Sequence, residues 1–211
     1  MTKQKTILTV SVNPSVDIAY HLDTFQLDTV NRTKKVYKTA GGKGLNIARV
    51  LQQLSACTLI TRIIGGTLGG FLIQQLDKNQ IPHQFFSINA EIRNCIAILH
   101  AGKQTEILEA GPTISLKECR EFTKHFIELL DRVDMVCISG SLAKGMPADY
   151  YVELIENCAK KGIPCLLDCS NEALVQVLQA PVKPALIKPN LEELSQLLQI
   201  SFSENSANSC R

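Results

Sequence analysis

The chain has 211 residues, with 22 Lys+Arg against 20 Asp+Glu, a formal net charge of +2, and 45% hydrophobic content that includes no Trp and only 5% aromatic residues. So even a charge balance argues against nucleic-acid and membrane-surface partners, and the few aromatics leave no platform for stacking bases. No apolar run is long enough to span a bilayer, and Met1-Thr-Lys-Gln-Lys5 leads straight into a strand-like run, so neither a membrane span nor a signal peptide is read and a cytoplasmic location is expected.

Thr6–Val12 reads as a buried strand that stops at Asn13-Pro14, where proline cannot continue a ladder. Val30–Thr39 alternates polar and apolar residues. Gly41, Gly42 and Gly44 then open a helix whose apolar positions recur at Ile47, Val50, Leu51 and Leu54. Thr58–Ile64 is a second apolar run, closed by Gly65-Gly66, and Phe71–Asp77 is a short helix. Gln84–Ile88, Cys95–His100 and Thr105–Glu109 are strand-like, with Ala101-Gly102-Lys103 as a hairpin turn. Ser115 with Glu118 forms a capping box for a long helix whose apolar face is Cys119, Phe122, Phe126 and Leu129. Met135–Ser139 is a strand, Gly140–Gly145 a loop, and Pro147 suits the first turn of a helix ending near Gly162. Cys165–Asp168 and Ala185–Lys188 are strands, and Glu172–Leu178 and Leu191–Leu198 are helices. Ser201–Arg211 is rich in Ser and Asn and reads as a disordered tail.

This alternation predicts an α/β fold, with right-handed βαβ units in a parallel sheet covered on both faces. The segments Val30–Thr39 and Gln84–Glu109 break the rhythm and predict a small antiparallel sheet, either a lid over the glycine turn or an edge extension of the main sheet. The 8 cysteines include no C-x-x-C pair, and they read as buried free thiols rather than a metal site or disulfide frame.

The chemistry gathers at the glycine turn. Glycines lets a ligand approach the backbone, and a helix opened this way aims N–H groups at an anion. Lys43 adds a charge there and Asn46 a donor and an acceptor. Lys43 is followed by Gly44, so this is not a P-loop, and the dinucleotide spacing is missing. A tight turn without a ligand remains the alternative. Asp17, Ser139-Gly140-Ser141, Asp168 and Lys188-Pro189-Asn190 fall at expected strand ends, with Glu193 on the helix beyond. Ligands of open α/β sheets bind at that edge, although Ser141, Asp168 and Asn190 also suit helix caps.

Five motifs in order resemble the PfkB branch of the ribokinase-like sugar kinases: Asn13-Pro-Ser-Val-Asp17, Ala40-Gly-Gly-Lys-Gly-Leu-Asn46, Arg93-Asn94-Cys95, Ser139-Gly-Ser-Leu142 and Lys188-Pro-Asn-Leu-Glu-Glu193. Val30-Asn-Arg32, Lys38–Gly44 and Arg93–His100 are most similar to its tagatose-6-phosphate kinases, rather than to the 1-phosphofructokinases. The resemblance covers about residues 5–200; Ala143 stands where the family usually has proline.

The resemblance implies a ribokinase-like three-layer αβα core over residues 1–200 with a β lid, through which two copies can pair. It implies ATP-dependent phosphorylation of a ketohexose phosphate, tagatose 6-phosphate first, with Mg²⁺. By position, Asp17 would bind sugar hydroxyls, Gly41, Gly42 and Asn46 would hold the sugar, and Ser141 would line its pocket. Arg93 would take the substrate phosphate, with Lys43 and Arg32 adding positive field. Lys188, Asn190 and Glu193 would serve the nucleotide phosphates and, indirectly, the metal ion.

The family's Gly-Ala/Ser-Gly-Asp motif, which supplies the anion-hole amides and the catalytic aspartate, does not occur in the 211 residues, so no catalytic base is assigned. The sequence therefore reads as a C-terminally truncated kinase, inactive alone. A non-catalytic phosphosugar-binding protein and a 1-phosphofructokinase-type member are the alternatives; an oxidoreductase half is disfavoured by the missing dinucleotide fingerprint.

Overall fold

Residues 5–200 are described by a computed structural model. The tail expected over 201–211 and the residues 1–4 lie outside the described residues.

β1 (Thr6–Ser11) runs through the centre of a six-stranded sheet and stops before Pro14, as the missing N–H requires. Its neighbours are β4 (Cys57–Gly65) and β8 (Met135–Ser139). β9 (Cys165–Asp168) and β10 (Leu186–Ile187) extend one side, and β5 (Phe86–Ile88) extends the other. The order is β10-β9-β8-β1-β4-β5, and every pairing is parallel. All carboxyl ends therefore share one edge.

Both faces of the sheet are covered. α1 (Lys43–Gln53) and α2 (Gly66–Lys78) lie on one face, and α3 (Leu116–Leu130), α4 (Tyr150–Lys160) and α5 (Asn171–Gln179) on the other. β4 shows the division at period two: Leu59 and Ile63 join the core under α3 and α4, while Ile60 and Ile64 join the core under α1 and α2. α6 (Leu191–Leu198) follows β10 and buries none of its residues. This is the expected three-layer αβα core.

The lid is a separate four-stranded sheet, in the order β3-β2-β6-β7: β2 (Ser15–Leu22), β3 (Lys35–Ala40), β6 (Arg93–His100) and β7 (Lys103–Leu108). One face, with Val16 and Ile18, packs into the core under α1 and α2. The β6–β7 hairpin turns at Ala101 and Gly102, both at positive φ (46° and 73°), the geometry that matches strand twist in a two-residue turn.

Four expectations are corrected. The lid is mixed rather than antiparallel, because β2 pairs with β6 in parallel register. Gln84–Ile88 is no part of it; β5 pairs with β4 at the edge of the main sheet. β2 was not foreseen, since the chain resumes extended pairing directly after Pro14. The buried face of α1 is Leu45 and Ala48, while Val50 and Leu54 are 53% and 71% exposed. The glycine turn sets the rotation of α1, and that choice outweighs its apolar repeat.

Candidate functional site

β1 ends at Ser11, and the chain crosses Asn13-Pro14 into β2, which carries Asp17. β3 returns antiparallel, with Asp17 opposite Thr39, and delivers the chain into Gly41-Gly42. Gly41 N–H donates to Ser15 O at 2.9 Å, so the turn is stitched directly onto β2. The Asp17 carboxylate lies over Gly41 and accepts Ser15 Oγ–H at 2.8 Å. Gly42 has φ +94°, a conformation that side chains oppose, and N-caps α1 with no side-chain cap. α3 and α6 both carry capping boxes. α2, α4 and α5 lack a bond from the N-cap side chain as α1 does, but the start of α1 is the one that lines the cleft described next, where its N–H groups suit an outside acceptor.

Around this turn lies a cleft of about 310 Å³, at the small end for a ligand site. Asp17, Gly42, Lys43, Asn46 and Arg93 line it, with Ser11, Asn13 and Gly140 from the sheet edge. Arg93 reaches in from β6. It donates Nη1–H to Glu109 O at 3.3 Å, while its Nε is buried without a hydrogen-bond partner. The Glu109 carboxylate receives Asn94 N–H at 2.7 Å and Asn94 Nδ2–H at 3.0 Å, which hold its pKa below the usual glutamate value and tie β7 to β6. Asn13 Nδ2–H donates to Ser141 Oγ at 3.2 Å, placing Ser141 beside the cleft, while Asn13 Oδ1 is buried without a partner.

A larger hollow of about 490 Å³ opens on the outer face of the lid, between Tyr37, Ala19, Ala97 and Leu108. It shares Asp17, Cys95 and Glu106 with the cleft. It is larger but mostly apolar, so the cleft beneath it is where polar chemistry converges.

Asp168 joins the cleft to the next strand end. β8 and β9 bring Ser139 opposite Asp168, and Ser139 Oγ–H donates to Asp168 Oδ2 at 3.1 Å. Lys43 Nζ and Lys188 Nζ each stand 3.5 Å from this carboxylate. Lys188 therefore lies next to the glycine turn, although far from it in sequence. Asn190 and Glu193 are turned toward one another: Asn190 N–H donates to Glu193 Oε2, and Glu193 N–H to Asn190 Oδ1, both at 2.8 Å. Both are thus occupied in capping α6. Among the described residues no group of three His, Cys, Asp or Glu side chains is arranged to hold a metal ion. The described residues alone therefore offer no ready-made cage for Mg²⁺.

Arg32 is not brought to the cleft. It lies in a separate depression with His21, Asp23, Lys34 and Lys35, at the far end of the β2–β3 pair. Arg62, which no sequence motif marks, also meets the glycine turn. It sits in β4, is 0% exposed, and donates Nη1–H to Gly41 O at 2.6 Å and Nη2–H to Gly42 O at 3.5 Å. Burial pushes its pKa down to about 10, opposed by the neighbouring Asp17 charge and assisted by Arg49. The available signal was a lone arginine inside the apolar run Thr58–Ile64.

The profile of the pfkB family carbohydrate kinases matches residues 11–210. Among solved structures, the chain is similar to a candidate 1-phosphofructokinase from Thermotoga maritima, with a TM-score of 0.83 and 27% identity over 89% of this chain and 61% of that one. It is similar to phosphofructokinase-2 from Escherichia coli in complex with potassium, with a TM-score of 0.82 and 25% identity over 96% of this chain and 65% of that one. A candidate phosphofructokinase from Staphylococcus aureus is 29% identical, with a TM-score of 0.75, over 95% of this chain and 64% of that one. The chain thus spans less than two thirds of the length of these three proteins.

Proposed function

The chain belongs to the pfkB family of carbohydrate kinases, and from that premise we propose that its cleft binds a phosphorylated ketohexose as acceptor for phosphoryl transfer from ATP. The observation that carries the reading is the meeting of Asp17, the uncapped start of α1, and the cations Lys43 and Arg93 in one cleft. Asp17 accepts hydrogen bonds from sugar hydroxyls. The turn amides and Asn46 hold the sugar body. Arg93, with its Nε still unpartnered, takes the phosphate already on the substrate, since a guanidinium matches a phosphate bidentately. Ser141 lines the sugar side. Lys188, tied to Lys43 through Asp168, faces the nucleotide phosphates.

Tagatose 6-phosphate is the first substrate candidate, on the strength of Val30-Asn-Arg32 and Arg93–His100. The neighbours in shape favour a fructose phosphate equally. No Gly-x-Gly-Asp run occurs in the 211 residues, so binding is proposed for this polypeptide and turnover is not. A positioned base contributes about 10²–10⁴-fold and one oxyanion donor about 10²–10³-fold.

Calorimetry with tagatose 6-phosphate, fructose 6-phosphate, fructose 1-phosphate and the unphosphorylated sugars tests the site, beside an ATP/Mg²⁺ turnover assay. Binding of at least one phosphosugar without turnover is expected. Arg93→Ala should weaken the phosphosugar about tenfold or more and leave the plain sugar nearly unchanged. Equal losses for both ligands would assign Arg93 to structure. Turnover near that of a full-length kinase would show that a residue present here serves as the base.

A further inference from the structure

We infer that Arg62 is a positioning residue: its buried guanidinium sets the peptide orientation of the glycine turn, and so the direction of the N–H groups a sugar phosphate would meet. The inference rests on the sugar-phosphate reading above.

Arg62 lies outside the lining of the cleft. On β4 it shares a face with Ile60 and Ile64, inside the core that also contains Leu45 and Ala48 of α1. A charged side chain is costly in such a place unless it is hydrogen-bonded. Its partners are the carbonyls of Gly41 and Gly42. Arg49 holds the preceding carbonyl, donating Nη2–H to Ala40 O at 3.0 Å. Three successive carbonyls of the turn are thus held by two arginines.

The Gly42 carbonyl has helix partners as well, in the N–H groups of Leu45 and Asn46. The Gly41 carbonyl has its short bond from Arg62. In a planar trans peptide the N–H points opposite to the C=O. With Gly41 O drawn inward, the Gly42 N–H faces away from Arg62, toward the side where Gly42, Lys43 and Asp17 line the cleft. Gly42 accepts the φ of +94° that this needs. With its pKa pushed down to about 10, Arg62 still keeps its charge at neutral pH. A lysine would supply the charge without the planar fork that reaches two carbonyls.

The test compares the wild type with Arg62→Lys and Arg62→Met. Calorimetry uses tagatose 6-phosphate, fructose 6-phosphate and the plain sugars, and amide hydrogen exchange is read at residues 42–46 and along α3. Expected for Arg62→Lys is about tenfold weaker binding of phosphosugar and sugar alike, because the sugar-holding turn shifts while Arg93 does not. Exchange should quicken at 42–46 with α3 unchanged. Wild-type affinity, or unaltered exchange at the turn, would overturn the inference, as would equal loosening of α3, which marks a general packing role. Arg62→Met should show the same pattern more strongly; if it does not fold, Arg62→Lys decides. If the wild type binds none of the sugars, the proposed function fails, and exchange alone then judges Arg62: faster exchange confined to the turn supports it, and no change refutes it.

Discussion

Gly41→Ala isolates the contact between the turn and Asp17. Gly41 is buried and its φ is not in the left-handed region, so the backbone itself accepts alanine. The obstacle is the added Cβ, which would bring all three carboxylate atoms of Asp17 within 2.5 Å, where ordinary contact begins at 3.4 Å. The nearest carboxylate oxygen would stand 2.0 Å away and must retreat by about 1.4 Å to reach ordinary contact at 3.4 Å, and a misplacement of about 1 Å can already cost on the order of a hundredfold at a reacting group. Retreat also breaks the 2.8 Å bond from Ser15 Oγ. A hydrogen bond to a charged group is worth about 1.5–3 kcal/mol, at the lower end here because Asp17 is only partly buried. Gly→Ala returns about 0.4–1 kcal/mol by restricting the unfolded chain. Net destabilisation should be about 1 kcal/mol, while affinity for plain sugar and phosphosugar should fall together by about ten- to hundredfold. Urea unfolding and calorimetry on one preparation read both. Stability as expected with affinity within about twofold of wild type would show that Asp17 is not where the sugar is held.

Other outcomes test the frame around the site. Ser115→Ala should cost about 1 kcal/mol in urea unfolding, since the Ser115 side chain accepts Glu118 N–H at the start of α3. Glu118 is held below its usual pKa by Ser115 Oγ–H and then Ser115 N–H. A lowered folded-state pKa stabilises above the unfolded-state value and is lost as pH falls through the folded one. Stability should therefore drop on acidification below pH 4.5, the ordinary value, and Glu118→Gln should flatten that limb; an unchanged limb would refute the linkage. The outer face of the lid exposes Tyr37 (54%) and Leu108 (59%) around Ala19 and Ala97. We propose that two lids pair there: light scattering should find a dimer that Tyr37→Glu dissociates, and a wild-type monomer at high concentration would remove this reading.

The sequence disclosed most where physics is local. The Ser115–Glu118 box lies three residues apart, and the structure forms it. The parallel sheet was legible from alternating apolar runs, because burial on both faces demands them. β2 is hard to read from the sequence, although Val16, Ile18 and Tyr20 alternate with Ser15, Asp17 and Ala19, because Pro14 signals an end to pairing while here it only separates two strands of different sheets. Arg62 is illegible in the sequence for a related reason. An apolar run reports that a segment is buried, but one charge within it has meaning only when its partners are known, and Gly41 and Gly42 come from another element. Asp168 is the same problem at longer range, since Lys43 and Lys188 meet it only after three strands have stacked in parallel register. Strand ends, which no periodicity describes, are where the sheet gathers its unspent polar groups. A lone polar residue that terminates or interrupts a buried strand is therefore the mark to follow in such a chain, and here it leads to Asp168 at one edge of the cleft and to Arg62 beneath it.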